Sequence, residues 1–299
     1  VTRPLRLGVS GSSFIWVMPQ ELLAGAYRAS VAGTLVKFDD HLNDLMVEFM
    51  RDMMHALNTL DIAAFECYHS LAWDRDRILD VALENPNVEF WSAHAPYGLH
   101  CDPSSPVEAA REGAVAGFID TVEVAARLGA RIVITHPGID YECDLPRETR
   151  IRWVVDVLRR AADTAGERGI SLAVEPLPKR EIGSTLDELL DVVDTVNRPN
   201  VGVNFDVNHL YPPEAIPGMI RKVGSRLLSV HVSDQDGIER HWLPFQGTMD
   251  WAEVLRALTD IGYTGPLIYE AHIHDVSNCE EAGRIIVNNY QRLIRLAPT

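Results

Sequence analysis

The chain has 299 residues, 46% hydrophobic and 23% charged, with 20 glycines and 17 prolines, so it can bury a sizeable core and is not a disordered, collagen-like or disulfide-stapled class. Forty-three acidic against 27 basic residues leave a formal charge of −16, which works against binding nucleic acid or anionic membranes, because such affinity rests on neutralising phosphates. No apolar stretch reaches the roughly eighteen residues of a spanning helix, the segment Val1–Arg6 has no signal-peptide core, and Cys67, Cys101, Cys143 and Cys279 form no C-x-x-C pair, so a cytoplasmic protein with free, inert thiols is expected.

Along the chain, β-branched runs alternate with amphipathic stretches. The first expected strand is Leu5–Ser10. A long connection, Gly11 to about Asn43, follows it and carries Phe14, Trp16, Tyr27 and Phe38; a connection of that length on a compact domain reads as a functional loop or lid, with Trp16 or Phe14 facing substrate. Strands are then expected at Ile62–Tyr68 and Val88–His94, a helix at Ser104–Leu128, and a strand at Arg131–His136. A helix over Arg147–Arg168 starts behind Pro146 and stops at Gly169. The remaining strands are Ser171–Glu175, Val201–Asp206, Leu227–Val232 and Pro266–Glu270, interleaved with helices over Thr185–Val196, Trp251–Ile261 and Glu280–Leu296.

Eight strand–helix units point to a parallel sheet closed as a (β/α)8 TIM barrel, an α/β single domain over 1–299 with a long β1–α1 loop. The competing doubly wound sheet usually carries a phosphate-binding turn after its first strand. Here that turn reads Gly8-Val9-Ser10-Gly11-Ser12-Ser13, with no G-x-G-x-x-G.

The functional signal is positional. Glu66, His94, His136, Glu175, Asp206 with His209, His231 and Glu270 all stand at the C-terminal ends of expected strands. In a parallel barrel these ends converge on one mouth, where active sites are built. A lone histidine after an apolar run usually belongs to the core, but seven strands ending this way do not fit that reading. Carboxylates crowded into one cavity repel unless a cation neutralises them, so a metal site is expected. Two Glu, one Asp and one His offer mostly oxygen donors, which favours Mn²⁺ or Mg²⁺, with Co²⁺ and Zn²⁺ as further candidates.

The segments Glu175-Pro, Asp206-x-x-His209, His231-x-x-Asp234, Glu239-x-His241, Gly247-x-x-Asp250-Trp251 and Glu270 resemble the xylose isomerase-like TIM barrels, a superfamily that includes sugar-phosphate isomerases, ketose 3-epimerases and endonuclease IV. The resemblance implies one divalent ion held by Glu175, Asp206, His231 and Glu270, with Glu175 and Glu270 as a catalytic acid/base pair. It also implies substrate contacts from His209, Arg240 and His241; His94, His136 and Trp16 complete the expected substrate-binding set. The expected activity is isomerisation or epimerisation of a sugar, sugar phosphate or polyol, by proton transfer through a metal-stabilised enediolate.

Three alternatives stand beside it. A dehydratase acting on an inosose or dehydroshikimate shares the first half-reaction. An endonuclease IV-like zinc nuclease would use His94, His136, Glu175, Asp206, His209, His231, Glu239, His241 and Glu270, with Glu239 replacing that family's aspartate, but the chain's charge opposes it. A sugar-binding protein without catalysis would not need the full acid/base set. The expected partner is a small carbohydrate, without nucleic acid or membrane, and with homo-oligomerisation left open. Phe245-Gln246-Gly247 departs from the Gly-x-Gly of many sugar-acting relatives. Glu66 is expected to order the site or touch substrate, His272 and His274 to be exposed or capping, with His272 alternatively supporting the site from behind, and Arg180 to be a solvated loop cation or to bind a phosphate or carboxylate.

Overall fold

The computed structural model describes residues 5–62, 64–139, 144–178 and 180–298. Eight parallel strands close into a barrel in sequence order: β1 Leu7–Ser10, β2 Ala64–Tyr68, β3 Glu89–His94, β4 Ile132–Thr135, β5 Ser171–Val174, β6 Val201–Asp206, β7 Leu227–Val232 and β8 Leu267–Tyr269. The expected TIM barrel is therefore the observed fold. Cys143 lies outside the described residues.

Strand side chains alternate between two faces. Val9, Phe65, Val133, Val174, Phe205, Val230 and Tyr269 belong to the large core between the barrel and its helices. Ile132, Ile134 and Ala173 form a separate small cluster with Trp91 and Leu228. Two residues beyond Ile134 and Ala173, on the same face, come His136 and Glu175. The same step of two separates Ser92 from His94, Asn204 from Asp206, and Ser229 from His231. The lumen is thus apolar at its floor and becomes polar toward its mouth. Backbones approach closely inside this wall: a Cβ on Gly202 would lie 2.4 Å from the Arg226 carbonyl oxygen.

Nine helices are found among the described residues: α1 Gln20–Val31, α2 Asp40–Thr59, α3 Arg75–Leu83, α4 Glu108–Leu128, α5 Arg147–Glu167, α6 Leu186–Val196, α7 Ile216–Val223, α8 Trp251–Asp260 and α9 Cys279–Leu293. In α2 the buried positions Met46, Met50, Met53, Met54 and Leu57 recur at helical spacing, and Asp39 caps the start by accepting from the Leu42 N–H at 2.9 Å. None of these helices is long and apolar enough to cross a membrane.

One expectation is corrected. Residues 11–43 are not a loop: a 3₁₀ helix over Gly11–Val17 and then α1 fill most of the interval. The buried face of α1 is Leu22, Gly25 and Ala29, too small to print a strong apolar period, and the helix opens behind Pro19 with no side-chain cap. Within this interval Phe14 is fully buried in the core, whereas Trp16 is half exposed. The helix expected from Ser104 begins at Glu108, because Asp102 accepts from the Ser104 backbone at 2.8 Å and closes a turn first.

Candidate metal centre

Glu175, Asp206, His231 and Glu270 each bring one ligand atom into a group whose members lie within 4.8 Å of one another. Strand register makes this meeting possible: Asp206 on β6 pairs with His231 on β7, and His231 pairs with Ile268 on β8, two residues before Glu270. His231 Nδ1 sits at the centre, 2.8 Å from Glu270 Oε2, 3.3 Å from Glu175 Oε1 and 3.6 Å from Asp206 Oδ2.

The partners of each ring nitrogen are informative. Glu66, fully buried, faces His231 Nε2 at 3.0 Å and accepts from the Ser10 and Ser92 hydroxyls. That partner holds one proton on Nε2, so Nδ1 is the nitrogen that faces the carboxylates and would take up a cation on giving up its own proton, as a metal-ligating histidine requires. His94 Nδ1 donates to the Ala95 carbonyl, His209 Nδ1 to the Pro176 carbonyl, and His241 Nδ1 to the Glu270 carbonyl. Each of these three rings then presents Nε2 toward an acid: His94 to Glu175 at 3.6 Å, His209 and His241 to Glu239 at 3.9 and 3.8 Å. Asn204 donates to Glu175 at 3.0 Å and the Ser12 hydroxyl to Glu270 at 2.8 Å.

The donor set fits a divalent cation. Asp206 Oδ2 and His136 Nδ1 are buried without a hydrogen-bond partner, and buried polar atoms without partners are rare. Burial opposes charge throughout, yet Glu66, Glu175 and Glu270 outweigh it at His231 and hold that imidazole well above its ordinary value. Likewise burial opposes ionisation of Glu175 and Glu270, but the charge on His231 holds both carboxyls well below the usual range. Burial raises Asp206, whereas it pushes His136 down to about 3. A divalent cation supplies the same compensation for the carboxylates that protonated histidines supply, and displaces their protons.

Two further groups flank the central one, His94 with His136 and Glu175, and His209 with Glu239 and His241. The structure thus gathers nine of the residues singled out in the sequence, with Glu175 shared between two groups. It does not bring in Arg240, whose guanidinium pairs with Asp236 and lies over Trp242. Nor does Trp16 line the cavity; it packs edge-on against His272 and at 4.3 Å against His274. His272, expected at the surface, stacks on His241 at 4.7 Å and lines the cavity. Ser12 and Asn204 escaped the sequence reading, although Asn204 shares the lumen face of Asp206 two residues on.

The segment that carries Glu239 and His241 is held by Asp234. Its carboxylate accepts from the backbone N–H groups of Gln235, Phe245 and Met249 and from the Trp251 indole at 2.9 Å. Gly247 is required there, since a Cβ would lie 2.2 Å from the Gln235 carbonyl. The Gly247-x-x-Asp250-Trp251 segment therefore acts by positioning.

Above the centre opens a cavity of about 460 Å³ that reaches Glu175, His209, Glu239, His241 and Glu270. No lysine or arginine is among its described lining residues. Cys67, Cys101 and Cys279 are free and buried; burial pushes each thiol up to about 12, consistent with inert thiols.

The description of the xylose isomerase-like TIM barrel matches residues 51–293. The chain belongs to that family. It is 33% identical over 119 residues to the D-psicose 3-epimerase of Enterocloster bolteae, covering 39% of this chain and 38% of that protein. It is 28% identical over 158 residues to the inosose isomerase of Bacillus subtilis, covering 49% and 56%. The chain thus spans about half or less of these curated relatives. Among solved structures it is similar to the IOLI protein with a binding zinc atom, at a TM-score of 0.73 and 17% identity over 99% of this chain and 100% of that one, which speaks for the fold. The relatives of this xylose isomerase-like chain are thus sugar epimerases and inosose isomerases.

Proposed function

We propose that the protein is a divalent-metal-dependent isomerase or epimerase of an unphosphorylated sugar or polyol. The observation that carries this reading is the central group, in which two glutamates and an aspartate surround one imidazole nitrogen whose tautomer is set from behind by Glu66. Glu175, Asp206, His231 and Glu270 would hold the ion, which supplies Lewis-acid stabilisation of the negative charge that develops on the substrate's carbonyl oxygen.

The protein's own groups do the rest. One of the two glutamates takes the proton from the carbon beside the carbonyl, and the other returns it, to the opposite face for epimerisation or to the neighbouring carbon for isomerisation. Asn204 and Ser12 hold these carboxylates in place by hydrogen bonds to Glu175 and Glu270. His94, His136, His209 and His241 line the cavity and meet the substrate's hydroxyls. The absence of lysine and arginine among the described lining residues supports a substrate without phosphate. The family relatives support proton transfer over water loss, so the dehydratase alternative is set aside.

The test is a panel of ketoses and inososes incubated in D₂O with the Mn²⁺-loaded protein. Solvent deuterium should enter the carbon next to the carbonyl, and Glu270→Gln should slow turnover by about 10² to 10⁴ while substrate still binds.

A second reading has a specific observation in its favour: the three groups together gather the nine residues that the resemblance matches to the ligands of a three-zinc nuclease, with Glu239 in place of its aspartate. The charge of −16 and a cavity wall whose described residues include Glu175, Glu239 and Glu270 but no lysine or arginine weigh against phosphate-backbone binding. Three zinc ions per chain together with cleavage of an abasic-site duplex would establish it in place of the first reading.

A further inference from the structure

The cavity over the metal centre has a second, chemically different end. From the mouth it extends outward between the top of β1 and β2 and the pair α1 and α2. There its wall is Met46, Phe49, Met50 and Met53 from α2, with Leu23 and Ala26 from α1 opposite. Phe38 and Trp73 close it further. Protein interiors hold few voids larger than a water molecule, whereas the whole cavity equals the share of about fifteen waters at ~30 Å³ each. A free sugar, with a hydroxyl on almost every carbon, leaves much of its hydrogen-bonding capacity unmet against a wall dominated by methionine and phenylalanine, although Tyr27, Ser30, Ser70 and His100 also line the cavity. The methionine side chains are unbranched and polarisable, well suited to follow the outline of an aromatic or aliphatic group. Helix α1, which builds one side of this compartment, lies within the Gly11 to Asn43 interval whose length stood out in the sequence.

We infer that this compartment receives an apolar substituent carried by the substrate, an aryl or alkyl group joined to the polyol, while the polyol itself lies over the metal centre. The position of the polyol rests on the proposed function; the apolar compartment does not. A site with one polar and one apolar end selects a substrate with both.

The test uses the metal-loaded protein with its methionines labelled at the ¹³C-methyl group. Benzyl alcohol should shift the Met46, Met50 and Met53 resonances and leave Met219 and Met249, which do not line the cavity, in place. Phenyl β-D-glucopyranoside should then bind at least about tenfold more tightly than methyl β-D-glucopyranoside, the gain expected from burying a ring of that size. In Ala26→Phe, which fills the compartment from α1, and in Met46→Gln, which makes its opposite wall polar, the ratio should fall toward one. Circular dichroism establishes that both variants are folded.

Equal affinity for the two glucosides in the wild-type chain would overturn the inference, as would a preference that persists in either folded variant. If neither glucoside binds but benzyl alcohol still shifts the three methionines, the compartment stands and the polyol reading falls. If benzyl alcohol shifts none of them, the compartment itself is refuted.

Discussion

Glu66→Gln isolates how the protein tunes its metal centre without removing a ligand. Glu66 is fully buried, two residues from the end of β2, and its carboxylate takes the Ser10 hydroxyl at 3.0 Å, the Ser92 hydroxyl at 2.7 Å and His231 Nε2 at 3.0 Å. Glutamine has nearly the same shape, and a serine hydroxyl can accept from its amide as readily as it donated to the carboxylate, so the fold should survive. What changes is the charge behind the imidazole. A neutral amide oxygen still holds the Nε2 proton, but no longer raises the electron density at Nδ1. Removing partners of this kind costs about 10- to 100-fold in metal affinity, or about 1.4 to 2.7 kcal/mol. Competition between the apo protein and a chelating dye for Mn²⁺ or Zn²⁺ measures it directly, with circular dichroism as the control for folding. Unchanged affinity in a folded Glu66→Gln protein would refute both the tautomer assigned to His231 and its place among the ligands.

Other perturbations reach different parts of the account. Glu175→Gln and Glu270→Gln should each lower turnover by about 10² to 10⁴, the usual contribution of a positioned acid or base, with KM changed far less; steady-state kinetics on the accepted sugar decides. Metal affinity should already be falling as pH drops from alkaline values toward neutrality, because ligation needs a neutral His231 ring and, against burial, Glu66, Glu175 and Glu270 hold that imidazole well above its ordinary value; calorimetry in buffers of different ionisation enthalpy should show proton release on binding. Trp251→Phe removes the indole donor to Asp234 and should cost about 2 kcal/mol in urea denaturation, with reduced affinity for substrate as the Glu239–His241 segment loosens. Gly202→Ala should destabilise by about 1 to 3 kcal/mol, since the new methyl meets the Arg226 carbonyl and Leu228.

The barrel was legible in the sequence because parallel strands buried on both faces print as apolar runs, and because seven of the eight runs end in an acid or histidine that apolar packing cannot explain. Glu175, Asp206, His231 and Glu270 are one such set, and closing the sheet is enough to bring them together. Two kinds of feature were not legible. Helix α1 hides its buried face behind glycine and alanine, so the interval 11–43 reads as a loop although most of it is helical. Side-chain direction was the other: Arg240 stands next to His241 in sequence, but an ion pair with Asp236 and the face of Trp242 turn it away from the cavity. Ser12 had no pattern to reveal it, since its contact with Glu270 spans the junction of the first and last strands. The flanking groups around His94 and around His241 were visible as candidate positions, but only the tied Nδ1 atoms show which nitrogen each ring offers.

The claim on which everything else depends is that Glu175, Asp206, His231 and Glu270 share one divalent ion. Anomalous diffraction at the manganese edge from crystals soaked in Mn²⁺ tests it most directly. A single strong peak within bonding distance of all four side chains is predicted, together with loss of sugar turnover in EDTA and its return on adding Mn²⁺. An empty map at that position, with turnover indifferent to chelation, would contradict the account.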